Sequence, residues 1–302
     1  MRPLGVLGVP TSAGAFAPGQ EQAPAALRQA GLLDVLRSSG VDVRDHGDRE
    51  PWRWRPDREH RSAQNLGMVV EIVRDTARRV GDAIAARETT LVLGGDCTVG
   101  IGTVAGHVQA GERVGLVYFD THADLNVPAS VREGTLDWMG MAHMLGVEGA
   151  APELVAAGPR APLLEPGDVL LFAWGREQAT AFEREAIDRL GLAVVPVEDV
   201  AADPEAAAAG ACALMEERCD RLLVHFDVDV IDFTDVPLSE NTGRNEGLAY
   251  ADALRALDRL LAAPGLAGLT ITELNPDHAE AGADSLERFA TAVAESLAGP
   301  PA

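Results

Sequence analysis

Short apolar runs alternate with longer amphipathic stretches from one end of the chain to the other. The runs are Leu4–Val9, Val41–Arg44, Thr90–Leu93, Val114–Phe119, Val169–Ala173, Ala193–Val197, Leu222–Phe226 and Leu269–Leu274. Most are continuously apolar rather than alternating, the pattern of strands covered on both faces of a parallel sheet. Between them, residues 22–39, 64–87, 99–109, 179–190, 203–218, 249–263 and 284–297 carry apolar positions at helical spacing. Such a β/α string predicts an α/β layer fold with a mostly parallel sheet. An eight-stranded closed barrel gives a similar string, so the pattern leaves open sheet and barrel both standing. No internal repeat and no Pro-, Gly- or Ser-rich linker divides the chain, and residues 1–302 are read as a single domain.

Ligands of open α/β sheets gather outside the carboxyl ends of the strands, and four of these ends are unusually polar. They are Gly94-Gly95-Asp96-Cys97-Thr98, Asp120-Thr121-His122-Ala123-Asp124, Asp227-Val228-Asp229 with Asp232 close behind, and Glu273-Leu274-Asn275-Pro276. Extended backbone would aim Asp120, His122 and Asp124 to one side, and Asp227 and Asp229 likewise. Groups of this charge at neighbouring strand ends repel one another unless cations lie between them. Two divalent ions answer that need, and carboxylate with imidazole suits Mn²⁺ or a similar metal. An isolated Asp-x-His-x-Asp string is more often a loop or a cap. The second acidic pair at another strand end carries the metal reading.

Composition narrows the chemistry. All 25 basic residues are arginine, against 47 acidic ones, for a net charge of −22. Without lysine there is no Schiff-base amine and no P-loop lysine. The acid excess argues against nucleic acid and against an anionic membrane as partners, and it attracts cationic small molecules. Cys97, Cys212 and Cys219 make no disulfide framework, and no apolar run is long enough to span a bilayer. A reduced, cytoplasmic protein is expected.

The blocks GGDCTVG, YFDTHADLN, HFDVDVID and TELNP, in that order, resemble the four signature blocks of the ureohydrolase family, which includes arginases and agmatinases. LGVLGVPTSAGA, APAALRQAGLLDVL and DVRDHGD resemble the arginase branch, so the resemblance covers most of the chain. It implies a three-layer α/β/α fold with an eight-stranded, mostly parallel sheet and a homo-oligomer, trimeric or hexameric. It also implies a pair of Mn²⁺ ions and hydrolysis of a linear guanidino substrate to release urea or a relative. Carried over by position, Asp120 and Asp227 bridge both ions, His122 and Asp229 bind one, and Asp124 binds the other. The implied nucleophile is hydroxide formed from water shared by the ions, with Asp124 handling the proton. Glu273 matches the carboxylate that holds the guanidinium by charge-assisted hydrogen bonds, and Thr242 falls near the substrate.

Three departures bear on the substrate. The family's GGDH is GGDC here, so a histidine ligand has become Cys97. A thiolate is soft and charged; it lowers the Lewis acidity of its ion and tilts the site toward Zn²⁺ or Fe²⁺, while a protonated Cys97 leaves the position to water. Asp137 stands thirteen residues past Asp124, where arginases carry a shuttling histidine. Its unperturbed pKa of about 4 suits neutral-pH proton transfer poorly. His143 reads as a helix residue without a catalytic role. Asn126 matches a contact to the substrate's α-carboxylate, but the partner serine position holds Glu133, which repels a carboxylate and attracts an amine. Glu177 and Gln178 are the nearest candidates for an amino-group contact. An arginase-like branch cleaves Nω-hydroxy-L-arginine, releasing hydroxyurea, and the departures are compatible with it. Two alternatives stand beside it: a catalytically silent relative that binds a ligand or partner, and a hydrolase of formimino-type C–N bonds.

Overall fold

The computed structural model describes residues 2–279 and 284–299. Its strands are β1 Leu4–Gly8, β2 Val43–Asp48, β3 Thr89–Leu93, β4 Val114–Phe119, β5 Val169–Trp174, β6 Ala193–Pro196, β7 Arg221–Asp227 and β8 Leu266–Thr272. They form one sheet in the order β2-β1-β3-β8-β7-β4-β5-β6, parallel at every pairing. The sheet is open, with β2 and β6 at its edges, which decides between sheet and barrel. All carboxyl ends share one rim. Because β3, β8, β7 and β4 are consecutive in the sheet, the four polar strand ends lie side by side at its centre.

Side chains alternate between the two faces of each strand. Phe119, Phe172, Val224, Phe226 and Ile271 face a core closed by α1 (Ala23–Gln29), α2 (Leu32–Ser38), α9 (Pro204–Glu216), α10 (Tyr250–Leu261) and α11 (Ser285–Ala298). Leu116, Tyr118, Leu171 and Leu223 face a second core closed by α3 (Leu66–Ala85), α4 (Val99–Gln109), α5 (Gly140–Leu145), α6 (Pro152–Val155) and α7 (Ala181–Leu190). The result is the three-layer α/β/α arrangement. A further helix, α8 (Val197–Ala202), places Val200 in the first core.

The structure departs from the sequence expectation at several points. The helix expected over 22–39 is broken by Gly31, whose φ of 90° lies in the left-handed region. Strand β2 starts two residues later than expected and runs into the polar segment Asp45–Asp48. That polarity is tolerable because β2 is an edge strand; Arg28 pairs with Asp45 at 2.8 Å and Asp48 at 2.5 Å. At the other end, β8 stops at Thr272 instead of reaching Leu274, because Glu273 adopts a φ of 60°. No helix among the described residues is long and apolar enough to cross a membrane.

Candidate metal centre

The acidic groups converge through tight turns, and the extended alternation expected of them is not what the backbone adopts. After β4, the His122 N–H donates to Asp120 Oδ1 at 2.7 Å and Asp124 takes a φ of 49°. After β7, residues Val228–Val230 form a 3-10 turn in which the Asp229 N–H donates to Asp227 Oδ1 at 2.7 Å. Asp96 pins the loop after β3: it accepts from the Gly14 N–H at 3.0 Å and the Thr98 N–H at 3.1 Å. This sets Cys97 just ahead of α4.

Cys97, His122, Asp124, Asp227, Asp229 and Glu273 open onto one cavity of about 560 Å³ at the centre of the rim. Asp120 lies buried beside them. Donor atoms of Cys97, Asp120 and Asp124 lie within 4.8 Å of one another, as do those of Asp120, His122 and Asp229 and those of Cys97, His225 and Asp227, so Asp120 and Cys97 each belong to two groups. The His122 Nδ1 stands 3.2 Å from Asp120 and 3.1 Å from Asp229. Two buried carboxylate oxygens, Asp120 Oδ2 and Asp229 Oδ1, have no hydrogen-bond partner among the described residues. Orphaned buried acceptors of this kind are costly, and a cation relieves them. The donor set therefore fits a pair of divalent ions.

The electrostatics agree. Burial, then repulsion from Asp229, raises the pKa of Asp120 to about 7. Burial and the Asp120 charge push Asp124 well up, and burial with Asp229 and Asp120 does the same to Asp227. For His122, burial acts downward, but the charges of Asp229 and Asp120 outweigh it and raise its pKa. Asp229 is lowered: burial pushes it up, and His122 with hydrogen bonds from the neighbouring acid sites more than offsets that. The Cys97 thiol is pushed up by burial and by Asp227, Glu273, Asp124 and Asp120. Bound cations invert this balance, since they favour every one of the anionic forms.

At the substrate side, Glu273 is held by two donors. Its Oε1 accepts from the Cys97 N–H at 2.8 Å and its Oε2 from Gln20 Nε2 at 3.0 Å. Each oxygen retains a lone pair for a ligand. Asn126 lines the cavity with its Oδ1 taken by Ser130 and Thr180, both at 3.0 Å, and its amide N–H₂ makes no hydrogen bond among the described residues. Thr242 also lines the cavity, on an exposed loop. Asp137 lines it too, buried, with Oδ1 unpartnered. Burial, Glu273, Asp96 and Asp124 together raise its pKa well above the ordinary carboxylate value.

Two expected contacts are not brought to the cavity. Glu133 is exposed: its carboxylate turns back to the Arg132 N–H at 3.0 Å and its carbonyl accepts from Gln64. The chain turns at 128–130, where the Ser130 hydroxyl donates to Asn126 Oδ1, and so carries Glu133 away from Asn126. Glu177 is likewise exposed, whereas Gln178 does line the cavity. Asp232 caps its own loop by accepting from Thr234 and Glu246, both at 2.8 Å. Sequence reasoning missed Tyr118, whose hydroxyl donates to Asp124 Oδ2, and His225, which contacts Cys97. Both precede a site aspartate by two residues on a strand, and that spacing puts them on the same face one layer deeper.

A model of the arginase family matches residues 2–299. An arginase of Bacillus caldovelox is 29% identical over 291 residues, covering 91% of this chain and 92% of its own. Its solved structure superposes with a TM-score of 0.87 at 26% identity over 99% of both chains. Arginase-1 of Homo sapiens is 28% identical, over 98% of this chain and 92% of its own. A formimidoylglutamase structure from Bacillus subtilis shares the fold, with a TM-score of 0.74 at 18% identity over 98% of this chain and 86% of that one. The chain thus belongs to the arginase family, the ureohydrolases, which are binuclear-metal amidinohydrolases.

Proposed function

We propose that the protein hydrolyses a C–N bond of a linear guanidino compound, with a hydroxyguanidine of the Nω-hydroxy-L-arginine type as its preferred substrate. The observation that carries the reading is the junction of two sets of groups in one cavity: the metal-donor set and Glu273 with both oxygens oriented. When bound, the ions, Mn²⁺ in the leading reading, supply Lewis acidity and make a nucleophile available from water at neutral pH. Asp120, Asp124, Asp227, Asp229, His122 and Cys97 would hold them.

The chain's own residues do the rest. Glu273 accepts N–H bonds from the planar guanidinium and fixes the carbon to be attacked. Asn126, with its carbonyl oxygen saturated, offers N–H₂ donors to a carboxylate at the far end of the substrate. Asp137 holds a proton near the leaving amine, and Asp124 shares proton handling. Cys97 favours the hydroxylated substrate: as a ligand its sulfur would donate more charge than imidazole and leave a bound ion a weaker Lewis acid. A hydroxyguanidine is less basic than a guanidine, so more of it is neutral at a given pH and it needs less activation.

The purified protein loaded with Mn²⁺ is to be offered arginine, Nω-hydroxy-L-arginine, agmatine and formiminoglutamate in parallel. Hydroxyurea from the hydroxylated substrate, at a kcat/KM at least tenfold above urea from arginine, is expected. Faster turnover of arginine would overturn the substrate preference, and formamide as the main product would favour the formimino reading. Silence on all four with both ions bound would favour the inactive relative.

A further inference from the structure

The Cys97 sulfur has a neighbour to which the signature blocks give no role, although HFDVDVID begins with it. His225 of β7 places Nε2 at 3.3 Å from Cys97 Sγ, and Thr272 Oγ1 lies 3.2 Å from the same sulfur and 3.0 Å from the same nitrogen. Asp227 Oδ2, two residues further along β7 at its cavity-lining carboxyl end, stands 2.9 Å from Sγ. The His225 ring is fully packed in place. It stacks on Tyr118 at 4.3 Å and 9°, and α4 passes so close that a Cβ on Gly100 would lie 2.7 Å from Nδ1. Glycine at position 100 is what allows the ring under the helix.

The tautomer follows from the partners. Nδ1 has no hydrogen-bond partner among the described residues, whereas Nε2 has two. A buried N–H without an acceptor is more costly than an unfilled lone pair, so the hydrogen belongs on Nε2, directed at the sulfur and the threonine hydroxyl. An imidazole of the kind the signature block would carry at position 97 is therefore present, two strands away across β8 and one layer deeper.

We propose that His225 is the positioning residue of the metal centre: its Nε2–H donates to the Cys97 sulfur and holds that sulfur toward Asp227, so that Cys97 and His225 act as one unit in place of a single histidine ligand. This rests on the two-ion reading. Hydrogen-bonded partners behind a ligand orient it and tune its basicity, and their loss costs about 10–100-fold in metal affinity. The pairing also makes position 97 dependent on position 225. A histidine introduced at 97 meets the His225 ring where the sulfur now sits.

The test uses Co²⁺ as a coloured probe, with thiolate-to-cobalt charge transfer reporting on Cys97. Metal stoichiometry, near-ultraviolet absorption and circular dichroism are recorded for the wild type, His225→Leu, His225→Gln, Cys97→His and the double variant Cys97→His/His225→Ser. The wild type is expected to bind two ions and show the band. His225→Leu should keep its fold and one ion, lose or shift the band, and bind the second ion about 10–100-fold more weakly. Restoration of an N–H donor in His225→Gln should recover the band in part, and the double variant should bind the second ion more tightly than Cys97→His alone. A wild type that binds no divalent ion overturns the two-ion reading itself. Two ions in the wild type without any thiolate band, or a band and a second-ion affinity that are unchanged in His225→Leu, overturn the pairing and leave that reading in place. Should His225→Leu fail to fold, equal affinities of Cys97→His and the double variant overturn the pairing.

Discussion

At position 137 a carboxylate of ordinary pKa would hold almost no proton at neutral pH, and the buried setting changes that. Asp137 has an unpartnered oxygen inside the cavity, and burial with Glu273, Asp96 and Asp124 around it favours the protonated form. The mismatch that sequence position alone implied is thus removed by environment, the device that keeps catalytic acids protonated elsewhere. Asp137→Asn should leave two ions bound and lower kcat about 100-fold or more. An acid must be protonated to give its proton, so wild-type kcat should fall as pH rises through the pKa of Asp137, and the variant should lack that limb. Measured pH–rate profiles decide it; activity within twofold of wild type on an unchanged profile would remove Asp137 from the chemistry. The clustering of the candidate ligands was legible because acids and imidazole gather at strand ends, where bland loops do not repeat. His225 was not, since a histidine within an apolar strand reads as core until its neighbour across the sheet is known.

Helix α5 shows the other use of a histidine. His143 is buried, with Nδ1–H donating to the Met139 carbonyl at 2.6 Å and Nε2 accepting from the Ala151 N–H at 3.2 Å. It ties a six-residue helix to the loop that follows. Burial lowers its pKa to about 4, partly opposed by the Met139 bond. A folded pKa below the unfolded value of about 6.5 means the neutral form is favoured by folding. That stability is fully present above pH 6.5 and is lost as pH falls toward 4, amounting to roughly 3 kcal/mol. His143→Leu should therefore be less stable than wild type at pH 7, with the gap closing by about that amount by pH 4 in denaturant titrations. A gap independent of pH would refute it. The short helices α5, α6 and α8 gave no periodic signal, because six or fewer residues hold too few turns to show one. The long helices and buried strands did, within two or three residues at most ends. Glu273 was placed on a strand and Asp124 on extended backbone because a left-handed backbone leaves no mark on non-glycine residue types.

Across the whole molecule the acid excess becomes a statement about metal and stability together. Asp120, Asp124, Asp227, Glu273 and Asp137 are all buried at one rim with pKa values raised by burial first. Neighbouring carboxylates come next, Asp229 at Asp120 and Asp227, Asp120 at Asp124 and Glu273 at Asp137, whereas at Glu273 the Gln20 hydrogen bond opposes the rise ahead of Asp96, Asp229 and Glu240. A raised folded pKa on an acid contributes stability that is present below the unfolded value of about 4 and is lost as pH rises through the folded value. The metal-free protein should therefore lose stability as pH climbs toward and past neutral, because these acids must ionise without compensation. Divalent ions reverse the trend: they favour the ionised forms and bind the folded state alone. At free metal about 100-fold above Kd, each ion adds about 2.7 kcal/mol. For a chain of this size about 1 kcal/mol corresponds to roughly 2 °C, so two ions should raise Tm by on the order of 10 °C. The gain should be larger at pH 8 than at pH 6, where protons compete for the same oxygens. Thermal unfolding of chelator-treated protein, with and without Mn²⁺, at both pH values measures this directly. A rise of half that size with one ion per chain would mean that only the Asp120–His122–Asp229 group fills, and would put the weakness at Cys97.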